Sequence, residues 1–390
     1  MKSIVIDSIE EMEQYKEDWD ELRLESRASV YSSFDLTRLW LDSYKETFNP
    51  RIVIVEDRGQ LLGVAPLCVF KYSLAGLPIR NLILVGHNTK FVMYSLGTVM
   101  ARHDDKEIID KMVKAIGGFR WNLMEMSFID PLPASLRFLD LINEGFGCQT
   151  NPETVNYCYE FPSEGEIGAR FASRTRRELR KSLHGLEKDG RLQFRKVRSV
   201  DEAEASMHSH VSMHIDRWAK KGGSIYLDPR NAHQMMEIGK LAVGKEMGAI
   251  HELLIDGEVA AQVICIYDGE VVRGMRQGIS EKFLEYSPGK LAIMMCMETL
   301  RAEGFKRMDL GHGDEPYKSH MKTSECSLPS FQVERGGLRA MRKVRSFPPI
   351  RQMDQRFQLS DRMLGRNRSH LSCTTDASRS PKVVQVNEST

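Results

Sequence analysis

Apolar residues recur along this chain at two spacings, and the alternation between them sketches its elements. Ser3–Ile6 alternates as a strand, whereas Ile9–Glu25 places Met12, Tyr15, Trp19 and Leu22 on one face and predicts a helix. A second helix is predicted over Asp35–Phe48. Arg51–Glu56, Leu61–Phe70 and Leu82–Gly86 read as strands, the first two joined by the turn signal Asp57-Arg58-Gly59. Asp105–Gly117 has helical spacing and Trp121–Phe128 reads as a strand.

A similar order returns later. Helices are predicted over Val200–Lys221 and Asn231–Lys245, then strands over Ile250–Ile255, Val259–Tyr267 and Val271–Ile279, with turns at Asp256-Gly257 and Asp268-Gly269. The stretches RIVIVEDRGQLLGVAPLCVF from residue 51 and AIHELLIDGEVAAQVICIY from residue 249 read as two copies of one hairpin. The pattern predicts an α/β chain made by tandem duplication of a mixed-sheet domain, with units 1–160 and 161–345. From Phe347 the chain turns to Pro348-Pro349, scattered Arg and few apolar residues, so 346–390 is expected to be a mobile tail.

The densest chemistry lies in YSPGKLAIMMCMETLRAEGFKRMDLGHGDEPYK, residues 286–318. Ser287 can cap a helix, Pro288 suits its first turn, and Gly289 lets a ligand approach backbone N–H groups that Lys290 supports with charge. A phosphate or pyrophosphate is the natural guest, although an ordinary capped turn has the same composition. Gly304 ends the helix. The strand Lys306–Leu310 then delivers Asp309, His312, Asp314, Glu315, Tyr317 and Lys318 to one polar loop.

This run resembles the C-terminal signature of the CelD-like acetyltransferases, named for cellulose biosynthesis, within the GNAT superfamily. Ser287-Pro288-Gly289 followed by Met308-Asp309-Leu310-Gly311, Gly313 and Tyr317-Lys318 carries the likeness. His214-Ile215-Asp216-Arg217-Trp218 and Asp256-Gly257-Glu258-Val259-Ala260-Ala261 are similar to two further family elements, and Ser33-Phe34, Trp40 and Gly63-Val64-Ala65-Pro66 to its N-terminal landmarks. The likeness spans about residues 20–335 and is looser in the first half.

The resemblance implies a GNAT-like α+β fold and direct acyl transfer from acetyl-coenzyme A, or another acyl-coenzyme A, to an amine. Gln277, Gly278, Ser287, Pro288, Gly289, Lys290 and Leu291 are then expected to bind the coenzyme. A protonated amine has a pKa around 10, so a base is needed. His251, Glu252, Asp309, His312, Asp314 and Glu315 are candidates, with Glu315 favoured and helix capping its alternative role. Tyr317 is the expected acid for the leaving thiolate. Asp309 is either catalytic or a holder of the loop by backbone hydrogen bonds. His214, Arg217, Trp218, His312 and Lys318 are expected to line the acceptor side.

His208, His210 and His214 raise the question of a metal, but no third ligand has a matching spacing and none is expected. The basic run at residues 174–184, with Arg174, Arg176, Arg177 and Arg180, is a candidate grip for an acyl carrier protein or phosphorylated acceptor, or else a solvated helix face. It lacks the aromatic interleaving of a nucleic-acid surface.

Bulk composition narrows the rest. The 390 residues are 41% apolar with net charge +1, which excludes general disorder and any global attraction to polyanions. The seven cysteines lack paired spacing and read as reduced structural thiols. No apolar run is long enough to span a bilayer and no secretion signal is evident, so a cytoplasmic protein is expected. The leading reading is a transferase acting on a small-molecule or saccharide acceptor, such as an amino sugar or polysaccharide precursor. Its rivals are a Fem-like aminoacyl-tRNA-dependent transferase and a non-catalytic assembly protein of an exopolysaccharide pathway.

Overall fold

Pairing of the alternating stretches and burial of the helical stripes produce a mixed α/β fold built on one large mixed sheet. A computed structural model describes residues 1–74, 77–87, 91–92, 96–313 and 315–338. Asp314 and the tail at 346–390 lie outside the described residues.

The chain opens with β1 (Lys2–Ile6), α1 (Ile9–Met12), α2 (Lys16–Glu25) and α3 (Phe34–Ser43). The helix predicted over Ile9–Glu25 is thus broken by a 3-10 turn at Glu13–Tyr15. The second helix stops at Ser43, because Phe48 joins β2 (Phe48–Pro50) and packs on Trp40 at 4.6 Å. Next come β3 (Ile52–Asp57), β4 (Gln60–Ala65), β5 (Leu67–Leu74), β6 (Leu77–Leu84), β7 (Met100–Ala101), α4 (Lys106–Gly117), β8 (Leu123–Met126) and α5 (Pro133–Phe146). The single strand expected over Leu61–Phe70 is split at Pro66, which has no N–H for a ladder. Its two pieces enter different sheets.

Beyond β9 (Gln149–Glu160) lie α6 (Ser173–Lys188), β10 (Leu192–Lys196), α7 (Val200–Trp218), α8 (Pro229–Gly244), β11 (Gly248–Ile255), β12 (Glu258–Asp268) and β13 (Val271–Ile279). The chain continues through α9 (Pro288–Ala302), β14 (Arg307–His312), α10 (Pro316–Met321) and β15 (Ser324–Glu334). A four-stranded sheet has the order β1-β3-β4-β7, and an eleven-stranded one the order β10-β11-β12-β13-β14-β9-β15-β8-β6-β5-β2.

Strands cross between the chain's halves in the larger sheet. β9 ends the first 160 residues, yet it lies antiparallel to β14, with Tyr159 opposite Met308. β15, from the end of the second half, pairs with β9 on one side and with β8 on the other, where Phe331 faces Met126. One core cluster buries Trp19, Trp40 and Tyr44 together with Met207, Ile238, Ile264 and Met275, so α2 and α3 share apolar surface with α7, α8 and the sheet. Tyr44 also donates a buried hydrogen bond to Asn231 at 2.7 Å. On the opposite face, α9 packs Leu291, Cys296, Met297 and Leu300 against Leu253, Ala261, Val263 and Val272.

Candidate active site

The sheet opens where β13 meets β14. These strands pair in parallel only over Val271–Arg273 and Arg307–Asp309. On its other side, β13 pairs Gly274 with Cys265 and Arg276 with Ile264, which leaves Met275 as the extra residue of a bulge. A bulge removes backbone groups from the ladder and re-aims the side chains around it.

The N-terminus of α9 lies beside this opening. Its first-turn N–H groups, at Gly289 and Lys290, have no carbonyl four residues earlier within the helix. Ser287 does not cap them. It takes left-handed φ/ψ of 51° and 50°, and its hydroxyl donates to Glu178 of α6. Lys290 Nζ lies 2.9 Å from both Glu178 oxygens. Burial pushes the Glu178 pKa up, but Ser287 and Lys290 outweigh it and hold the carboxyl below its usual range. Gly289 is required by packing. A Cβ there would stand 2.5 Å from Ile279 Cδ1 and 3.0 Å from Gln277 Nε2, and its carbonyl accepts from Gln277 at 2.6 Å. Leu291 is fully buried and anchors the helix.

On the α7 face, His210 is fully buried, with Nε2 3.5 Å from the Tyr226 hydroxyl. His214 Nδ1 bonds to Ser224 Oγ at 2.7 Å, and its ring stacks on the partly exposed Trp218. Burial, with help from neighbouring cationic groups including Arg276, lowers the His210 and His214 pKa values to about 3 and about 4. Both are neutral at pH 7. The Arg276 charge also acts on Tyr31, Tyr226 and His312, so this guanidinium is common to residues from both halves. Sequence reasoning passed over Arg276; its place directly after the bulge is recognisable only once the register is known.

Past β14 the loop is held by its own charges. Asp309 accepts from Arg273 at 2.7 Å, Asn156 at 3.0 Å and the Gly311 N–H at 2.7 Å, and these bonds fit it to the loop-holding role. Lys318 is buried and donates to the His312 carbonyl at 2.5 Å while pairing with Glu315 at 2.9 Å. Glu315 stands at the N-cap position of α10 without capping through its side chain. Burial raises its pKa, but Lys318 outweighs this and holds the carboxyl below its usual range. Burial, with the nearby Glu315 charge, keeps the Tyr317 hydroxyl protonated. His312 stacks on Phe128 with centroids 3.9 Å apart, a ring from the first half that carried no signal in the sequence.

Two base candidates face the interior. Glu252 is engaged by Ser206 at 2.6 Å, Gln262 at 2.9 Å and Arg195 at 2.7 Å. His251 is fully buried against Cys296. The basic run does form a helix, α6, in which Arg174 and Arg177 are exposed, Arg180 pairs with Glu166 at 2.9 Å and Arg176 donates to the Ala169 carbonyl.

A parting between parallel strands beside a helix N-terminus is the geometry against which relatives can be compared. Residues 173–319 match the family described as Acetyltransferase (GNAT) domain. This stretch is therefore similar to a GNAT domain, and the match covers less than half of the chain. No curated protein matches the chain. The C-terminal domain of a putative lysylphosphatidylglycerol synthetase from Agrobacterium fabrum is similar in fold, with a TM-score of 0.50 and 12% identity over 86% of this chain and 96% of that one. FemX gives 0.46 with 12% identity over 86% and 98% of the two chains. A tandem GNAT protein from the clavulanic acid biosynthesis pathway gives 0.45 with 8% identity over 86% and 99%. No described helix is long and apolar enough to cross a membrane.

Proposed function

We propose that the chain is an acyl-coenzyme A-dependent N-acyltransferase, with acetyl-coenzyme A as the first donor to test. The observation that carries this reading is the opening between β13 and β14 beside the α9 N-terminus. A pyrophosphate suits the Gly289 and Lys290 N–H groups, where the helix dipole favours negative charge. The thioester then reaches the bulged backbone at Met275, and Gln277 and Gly278 line its path. An acceptor amine approaches from the α7 face, past His214, Arg217, Trp218, Arg276 and His312.

In the reaction the amine nitrogen forms a bond to the thioester carbonyl carbon and the carbon–sulfur bond breaks. Glu315 takes one proton from the ammonium, and the second N–H proton, lost as the amide forms, passes to Tyr317 as Tyr317 protonates the leaving thiolate, while Asp309 and Lys318 hold the loop that carries both. A saccharide amine, such as a polysaccharide precursor in the cytoplasm, fits the polar and aromatic lining. An acyl carrier protein is the proposed partner for the exposed arginines of α6.

The test is turnover of acetyl-coenzyme A with an amino-sugar panel, alongside calorimetric titration with the coenzyme. Glu315→Gln should lower kcat by about 10²–10⁴-fold with coenzyme affinity nearly unchanged. A wild-type protein that fails to bind any acyl-coenzyme A overturns the proposal, and unchanged turnover in the variant removes Glu315 from it.

A further inference from the structure

Under α9, three ligating side chains from distant parts of the chain converge. His251 lies on β11, Cys265 on β12 and Cys296 on α9, each fully buried, and their ligating atoms lie within 4.8 Å of one another. Cys265 Sγ is 3.7 Å from Cys296 Sγ, which is 3.4 Å from His251 Nδ1. The imidazole is fixed face-on against Phe194, with centroids 5.7 Å apart. We infer that His251, Cys265 and Cys296 form a zinc site that fastens α9 to the sheet.

The spacing is that of ligands around one small tetrahedral ion. Zn–S bonds of about 2.3 Å and Zn–N bonds of about 2.0–2.1 Å place two sulfurs about 3.8 Å apart, and a sulfur and a nitrogen about 3.5 Å apart. The Cys265–Cys296 and Cys296–His251 separations differ from these by about 0.1–0.2 Å, and Cys265 Sγ lies within 4.8 Å of the imidazole nitrogen. Charge selects the ion as well. Two thiolates neutralise one dication, so the occupied site adds no net charge to an apolar interior, whereas a monovalent ion would leave a buried anion. Binding releases both thiol protons and uses the Nδ1 lone pair of a neutral imidazole, with a small exchangeable ligand in the fourth position. Proximity of the sulfurs also permits a competing state, a Cys265–Cys296 disulfide formed by a diffusible oxidant that takes up two electrons as both thiol protons leave.

This inference is independent of the transfer reaction, and its test needs no activity. Protein made without a histidine tag and purified under reductant should contain stoichiometric zinc by elemental mass spectrometry. Refolding from urea with Co²⁺ should produce thiolate-to-cobalt charge-transfer absorption, with two protons released per ion. The Cys265→Ala/Cys296→Ala variant, whose small apolar replacements suit the core, should fold and lose both signals. Zinc added during refolding should shift the urea midpoint of the wild type upward and leave the variant unmoved. Folded wild type that lacks zinc and takes up no Co²⁺ overturns the site, as does a Cys265–Cys296 disulfide in protein kept under reductant.

Discussion

The carboxylate of Glu178 competes for the place proposed for the coenzyme pyrophosphate, and removing its charge should tighten coenzyme binding. Glu178 holds Lys290 through both oxygens at 2.9 Å and accepts the Ser287 hydroxyl, so an arriving phosphate meets an anion beside the α9 N-terminus. A phosphate about 6 Å from that carboxylate would feel a repulsion of about 0.7 kcal/mol in a water-like dielectric and about 2.8 kcal/mol at an effective value of 20. The side chains of Lys290 and Glu178 are 29% and 34% exposed, which favours the lower end. Glu178→Gln should therefore lower the Kd for acetyl-coenzyme A by roughly three- to tenfold. The lost ion pair should cost at most about 1 kcal/mol of stability, since partly exposed pairs contribute little and Gln can still accept from Ser287. Calorimetric titration at low and high salt is the assay, because the gain must shrink as ions screen it. Unchanged or weaker binding at low salt, in a variant with a normal urea melt, would refute the reasoning.

Gly289→Val should destabilise the fold by about 1–3 kcal/mol in urea melts, because the new side chain drives into Ile279 and Gln277, and any coenzyme loss should be read against that. Arg273→Met should cost about 3–5 kcal/mol, since it leaves the buried Asp309 without its cation, while the half-buried Asp268 keeps Arg23 at 3.5 Å. His210 and His214 titrate near 3 and 4 when folded and near about 6.5 when unfolded, so the unfolded chain binds protons first. The stability their neutral burial supports is whole above about pH 6.5 and falls as pH drops toward 3; His210→Gln should flatten that fall in a series of melts.

Much of this was legible because local rules and tertiary structure agreed. The hairpin around Asp256-Gly257 and the helix after Pro288 follow from turn chemistry and periodicity, and the mixed α/β class follows from their order. Pro66 could also be read, since a proline inside an apolar run argues against a continuous strand. What escaped is non-local. Nothing near residue 128 announces that Phe128 will stack on His312, and nothing near Gln149–Glu160 tells that strand to lie beside β14. The Ser287 cap failed because Glu178, over one hundred residues earlier, offers the hydroxyl a charged acceptor. His251, Cys265 and Cys296 lack a motif spacing because sheet register and a helix, not adjacent turns of one helix, bring them together.

The crossing of β9 and β15 between the halves has a mechanical consequence. A protease that cut the segment between β9 and α6 would sever the peptide chain but not the molecule, because the first piece still contributes the strand between β14 and β15 and the second still pairs with β8. The nicked protein should migrate as one particle until denatured. Conversely, a fragment beginning at residue 161 would present bare ladder edges on β14 and β15, open to pairing with other copies. Each half is thus the other's template, and neither can be borrowed alone.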